Sequence, residues 1–185
     1  MDNNRVKRML VLALVVLGVS VTASSLWAAT SPPRPRAHLT PPVVPLKHAD
    51  TRLVRSLRSN TWRWERLIGL RRSHLAASLR SGQALRFWRA RMLQVRRVAA
   101  HPPHMRAWLC IHRYEGSWRD SGDPYWGGLQ MDRSFMRLYA TSDLLRRGWA
   151  NRWSPLEQMW VAERAHRNGR GFYPWPNTAR YCHLL

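Results

Sequence analysis

Proline placement divides this chain before any other feature is considered. Six of its twelve prolines fall between residues 31 and 46, none between 49 and 100, and a Pro102-Pro103 pair follows His101. Proline fixes φ, lacks a backbone N–H and disfavours helix in the residue before it. The run S-P-P-R-P-R-A-H-L-T-P-P-V-V-P-L is therefore a semi-rigid spacer and not a fold. The proline-free stretch is free to be helical, and the Pro-Pro pair must end any helix arriving from upstream. Four segments result: 1–29, a Pro-rich linker at 30–48, a region at 49–100, and a C-terminal domain at 101–185.

Residues 1–29 have the three-part form of an export signal. Arg5, Lys7 and Arg8 form a basic start, Met9 to Val21 is almost unbroken apolar sequence, and small residues follow from Thr22 to Ala29. The apolar stretch, counted through Ala29, also approaches the roughly 20 residues that span a bilayer. A cleaved signal and a retained membrane anchor are thus both open. Either places the remaining chain outside the cytoplasm, where a nucleic-acid partner is not expected.

The formal charge is +21, with 31 Lys+Arg against 10 Asp+Glu in 185 residues. It is uneven: residues 1–100 hold 19 of the basic and 3 of the acidic residues. Such an excess calls for an anionic neighbour, here lipid or the acidic polymers of a bacterial wall. Between 49 and 100 arginine alternates with Leu and Trp. Leu53, Leu57, Trp64, Leu67 and Leu70 form one apolar face, which Leu75 and Leu79 extend. Leu85, Trp88, Met92 and Val95 form another, with Ser81-Gly82 as a break. The three-and-four spacing predicts basic amphipathic helices in a helical hairpin. A surface-binding arm and a plain solvated stalk are equally consistent with it.

After His101 the signals become local and specific. A helix opening at Pro102 or Pro103 carries Met105, Trp108, Leu109 and Ile111 up to Glu115, and Gly116 supplies its C-terminal turn. Asp132 has the form of an N-cap for a short helix, Arg133 to Tyr139, with Phe135 and Leu138 inward. Ser154-Pro155-Leu156-Glu157 is a capping box with proline at the first helical position, for a helix running to about Asn168 and ended by Gly169. The expected fold class is α+β and predominantly helical. About eighty residues give little core, so an exported chain profits from a Cys110–Cys182 disulfide. In the chain-entropy model such a loop contributes at most about 4 kcal/mol.

The chemistry points to one carboxylate. Glu115 ends its helix among Trp108, Tyr114 and Trp118, and a turn-rich stretch leads to Tyr125-Trp126-Gly127-Gly128-Leu129-Gln130. Cleaving a glycoside needs an acid that protonates the leaving oxygen, and burial among aromatics would keep Glu115 protonated near neutrality. A second carboxylate is open between Asp120 and Asp123. Asp132 reads as a cap, Glu157 as part of the capping box, and Glu163 as partner to a nearby arginine. A single acid suffices if the substrate's N-acetyl group or its 6-hydroxyl attacks C1. His112 and Glu115 share a helix face, but no H-E-x-x-H is present and His101, His104 and His183 are scattered. They read as surface, and no metal or cofactor is implied. No G-x-S-x-G occurs either.

These residues in this order resemble the transglycosylase-like domain of resuscitation-promoting factors, within the lysozyme-like superfamily. The matching pieces are Trp108 followed by Ile111, Glu115-Gly116-Ser117-Trp118, Tyr125 to Gln130, Glu157-Gln158, Val161-Ala162-Glu163-Arg164 and Trp175-Pro176. They cover about residues 104–182. The resemblance implies a small lysozyme-like domain cleaving the β-1,4 bond between N-acetylmuramic acid and N-acetylglucosamine in peptidoglycan. Glu115 would be the catalytic acid, and Gln130 would bind sugar from the opposite wall. Gly127 and Gly128 would admit the glycan close to the backbone, and Tyr125, Trp126 and Trp118 would line or flank the cleft. The chain departs from the pattern at Tyr114, where the family commonly has cysteine; here the cysteine is Cys110, one helical turn earlier.

The implied partners are peptidoglycan glycan strands and, through the basic half, anionic wall polymers or a membrane surface. The expected location is secreted or at the cell wall, with a membrane tether if the apolar segment is retained. The rival is a non-catalytic wall-binding protein using the same cleft.

Overall fold

The computed structural model describes residues 48–75 and 81–185. The export segment 1–29, the linker apart from His48, and Leu79 lie outside these residues. The described part is predominantly helical. Helices α1 (His48–Ile68) and α2 (Ser81–Ala99) precede α3 (Met105–Glu115). Strands β1 (Tyr125–Trp126) and β2 (Met131–Asp132) follow, then α4 (Arg133–Tyr139), α5 (Ser142–Leu145), α6 (Pro155–Ala165) and α7 (Pro176–Tyr181). The two short strands pair antiparallel, Tyr125 with Asp132 and Trp126 with Met131. Among the described residues no helix is long and apolar enough to cross a membrane.

Helices α1 and α2 do not form the antiparallel hairpin expected from their spacing. Trp62 meets Trp88 and Glu65 meets Arg91, so both contacts advance in the same direction along the two helices. The C-terminal ends of both also meet α6: Trp160 Nε1 donates to the Ala99 carbonyl at 2.7 Å, and Arg164 to the Arg66 carbonyl at 3.1 Å. The pair is parallel, and after Ile68 the described residues return along α1 as far as Ser73, beside Trp62 and Glu65. Glu65, fully buried, accepts from the Ser73 backbone N–H, the Ser73 hydroxyl and Arg91 Nε, while Trp62 Nε1 donates to the Ser73 carbonyl. Burial alone would raise the Glu65 pKa, but these donors and the Arg91 charge hold it below the usual carboxylate value. Since α1 stops at Ile68, Leu70 leaves the expected apolar face and is exposed, as is Leu53 nearer the start.

Nor is the pair a free arm. Leu67, Ile68, Val95 and Ala99 belong to the same buried cluster as Trp108, Ile111, Met136, Trp160 and Val161. The last carbonyls of a helix have no partner within it, and here side chains of the C-terminal domain satisfy several. Trp160 serves Ala99, Arg164 serves Arg66, and Arg167 donates to Ile68. The break at His101-Pro102-Pro103 therefore separates helices, not cores.

Local signals set most boundaries in the C-terminal part. Asp132 caps α4 by accepting from the Phe135 N–H at 2.7 Å, and the capping box of α6 forms in full between Ser154 and Glu157. Leu138 on α4, read as inward, faces water instead, and Leu109 on α3 is exposed as well. Helix α6 ends at Ala165, not near Asn168; the chain widens into a π turn, His166–Arg170, with Gly169 at φ 84°. Cys110 and Cys182 are bonded, tying α3 to the residue that closes α7.

Glu163 differs most from its reading as partner to a nearby arginine. It is wholly buried on α6; its Oε1 accepts from Trp108 Nε1 at 2.8 Å and from the His104 N–H at 2.7 Å. His104 Nδ1 lies 3.1 Å from its Oε2. The neighbouring His166 is held below the usual imidazole pKa by burial and by His104, against the opposing pull of Glu163.

Candidate active site

Helix α3 delivers Glu115 to the edge of the domain because Trp108 and Ile111, on its inner face, are completely buried while its last turn ends in the open. Gly116 then takes φ 142°, and its backbone N–H closes on the His112 carbonyl at 3.2 Å. Glu115 is half-buried and borders a cleft of about 270 Å³ lined also by Tyr125, Gln130, Pro174, Trp175, Pro176 and Asn177. Trp175 is its fixed side: it is buried, and its Nε1 donates to the Leu129 carbonyl at 2.6 Å. Tyr125 is half-exposed on the opposite rim.

Gln130 is held in place by the turn that ends in it. Its N–H donates to the Gly127 carbonyl at 3.1 Å, and its Nε2 donates to the same carbonyl at 3.0 Å and to Asp120 Oδ2 at 2.7 Å. With both amide hydrogens used, Oε1 is the atom left to meet a ligand hydroxyl. Asp120 accepts from the Gly122 N–H as well, and these two bonds, Gly122 first, hold its carboxyl below the usual range. It lies against the residue that follows the acid: a Cβ placed on Gly116 would be 3.6 Å from Asp120 Oδ2 and 3.5 Å from Gln130 Nε2. Asp123 instead pairs with Arg133 at the exposed surface. Of the two carboxylates left open by the sequence, Asp120 is the one beside the cleft.

The remaining sequence candidates stand behind this wall and do not line it. Trp126 is buried against Trp149, with Arg133 over its ring. Trp118 stacks on His112 with ring centroids 3.9 Å apart. Gly127 and Gly128 are both buried, and what approaches them is protein. A Cβ on Gly127 would lie 2.4 Å from Gln158 Oε1, and one on Gly128 would lie 2.6 Å from His112 Nδ1 and 2.7 Å from Trp118. The double glycine thus admits Gln158 and His112, not the glycan. Trp108 likewise belongs to the core, and Tyr114 is exposed beside Tyr181, so neither forms the expected apolar jacket around Glu115. That role falls to Trp175 with Pro174 and Pro176.

Two residues without an expected role hold the site. Gln158 is fully buried; its Oε1 accepts from the Gly128 N–H, and its Nε2 donates to the Trp118, Ala150 and Trp153 carbonyls. The signal for it was an amide on the most apolar helix of the domain. Thr178 is buried on α7, and its hydroxyl lies 2.7 Å from Glu115 Oε1 and 3.4 Å from the Trp175 carbonyl. Nothing local in the sequence links residues so far apart. Comparison with models of known families, with curated proteins and with solved structures finds no match, so function must be argued from these residues themselves.

Proposed function

We propose that this protein is an exported glycosidase of lysozyme-like fold that cleaves the β-1,4 bond between N-acetylmuramic acid and N-acetylglucosamine in peptidoglycan. The observation that carries the reading is the placement of Glu115 in one cleft with Gln130 and Tyr125. The order of motifs from Trp108 to Trp175-Pro176 and the export form of residues 1–29 support it. The Glu115 carboxyl hydrogen passes to the glycosidic oxygen as the bond from that oxygen to C1 breaks, and positive charge develops at C1. Water, or the sugar's own 6-hydroxyl, then attacks C1 and returns its proton to Glu115. Asp120, anionic beside the cleft and bonded to Gln130, supplies negative potential and fixes the amide that meets the sugar.

Thr178 suits an acid that must later act as a base. Its one hydroxyl hydrogen donates to ionised Glu115; when Glu115 is protonated, the carboxyl hydrogen donates to Oγ1 and the hydroxyl turns to the Trp175 carbonyl. The basic charge of the chain would hold the enzyme at the acidic wall, and the helix pair, docked on the domain core, would present part of it.

The deciding experiment is digestion of purified peptidoglycan followed by mass analysis of the soluble products. Glu115→Gln, an isosteric change at the cleft rim, is expected to abolish muropeptide release while folding and wall binding persist. Full muralytic activity in that variant refutes the mechanism. No release by the unaltered chain, with binding retained, favours the rival reading of a wall-binding protein. Reducing ends denote attack by water, and 1,6-anhydro ends denote attack by the 6-hydroxyl.

A further inference from the structure

We infer that His104, Glu163 and His166 form a binding site for a divalent transition-metal ion, zinc by the chemistry of its donors. One ligand atom from each of the three residues lies within 4.8 Å of the others. Glu163 and His166 stand three residues apart at the end of α6, and His104 occupies the N-cap position of α3. The two imidazoles face each other with ring centroids 4.1 Å apart and planes tilted by 35°. Two imidazole nitrogens and one carboxylate oxygen are a zinc donor set. In a tetrahedral zinc site with bonds of about 2.0–2.1 Å, ligand atoms are about 3.3 Å apart, so closure needs an inward shift of about 1.5 Å or less.

The surroundings are those of a prepared ligand set. Glu163 Oε1 is occupied by the Trp108 indole and the His104 backbone N–H, which orients the carboxylate and leaves Oε2 toward the imidazoles. Such outer hydrogen bonds orient metal ligands. Phe172 packs edge-on to both histidine rings, at 5.7 Å from His104 and 4.8 Å from His166, restricting their rotation. The His104 side chain is 39% exposed, which gives an ion a path in and water a fourth position. The site lies at the start of α3, whereas Glu115 lies at its end, so the ion's role is to fasten α3 and α6 together where the helix pair joins the domain.

The test titrates ZnCl2 into the purified full chain, stripped with EDTA and desalted, by calorimetry with a thermal melt alongside. One equivalent of zinc per chain and a raised Tm are expected. His104→Ala and His166→Ala are each expected to weaken binding at least tenfold, and His183→Ala, at an exposed histidine of the tail, to leave it unchanged. Far-UV dichroism establishes that each variant is folded; should His166→Ala not fold, His166→Gln replaces it. Cobalt titrated into the unaltered chain gives a readout independent of variants, the visible bands of four-coordinate cobalt. Absence of a saturating equivalent, absence of those bands, or folded variants binding within tenfold of the unaltered chain overturns the site.

Discussion

The Thr178 hydroxyl lies 2.7 Å from Oε1 of Glu115, joining α7 to the last residue of α3. The disulfide between Cys110 and Cys182 links the same two elements, one turn earlier on α3 and one turn later in the chain. The bridge holds the elements, and the hydroxyl meets the acid.

Thr178→Val keeps the shape of the side chain and removes the hydroxyl. A hydrogen bond to a charged group contributes about 1.5–3 kcal/mol, so muropeptide release is expected to fall by about tenfold to a hundredfold. Thr178→Ser is expected to restore most of the rate. A folded Val variant with the original rate would show that the contact is structural only.

Gly127→Ala addresses what the double glycine is for. Gly127 has φ 74°, and an added Cβ would meet Gln158 Oε1 at 2.4 Å and the Ala150 methyl at 2.9 Å. Strain at positive φ and overpacking each cost about 1–3 kcal/mol. Urea unfolding should therefore show a loss of about 3 kcal/mol. Unchanged stability with weakened glycan binding would return the glycines to the cleft.

The ion pair of Arg147 with Glu157 ties the α5 end to the capping box of α6, with Arg147 donating to Oε1 and Ser154 N–H to Oε2. Burial would raise the Glu157 pKa, but the Arg147 hydrogen bond, the Ser154 N–H and the Arg147 charge together bring it below the ordinary value of 4.5. A depressed folded pKa means that the unfolded chain takes up the proton first. This contribution to stability is complete above pH 4.5 and disappears as pH falls below it through the folded pKa. Denaturant midpoints measured from pH 6 down to about pH 3 should fall less steeply in Glu157→Gln than in the unaltered chain. Parallel slopes would contradict the assignment.

Removing residues 1–100 tests whether the helix pair is an appendage. The cut strips Leu67, Ile68, Val95 and Ala99 from the core cluster and leaves the Trp160 indole without the Ala99 carbonyl. Each buried aliphatic side chain contributes about 1.5–3 kcal/mol, so residues 101–185 alone are expected to lose cooperative unfolding or to melt far lower. A fragment as stable as the whole would make the pair an independent arm.

Much of the local structure was legible because its causes are local. Asp132, Ser154 with Glu157, Pro155 and Gly116 act on backbone groups within a few residues, and each stands where its capping or turn chemistry requires. Glu115 was legible as a helix-end acid, and the cysteines as a bridge. Periodicity gave two helices between 49 and 100 but not their direction, since an apolar stripe has the same spacing whichever way its partner runs. The direction was decided by Glu65 and Trp62 capturing Ser73.

The sequence by itself determined the bounds of α4, the start of α6, the carboxylate that ends α3, and that the C-terminal part could be closed by a disulfide. Those follow from short-range sterics and hydrogen bonding. Only the tertiary structure decided that Trp118, Trp126 and the double glycine face inward, that Thr178 and Asp120 attend the site, and that His104, Glu163 and His166 converge. A residue's type constrains what it can touch, but packing selects the partner, and here the partners come from elements as far apart in the chain as α3 and α7.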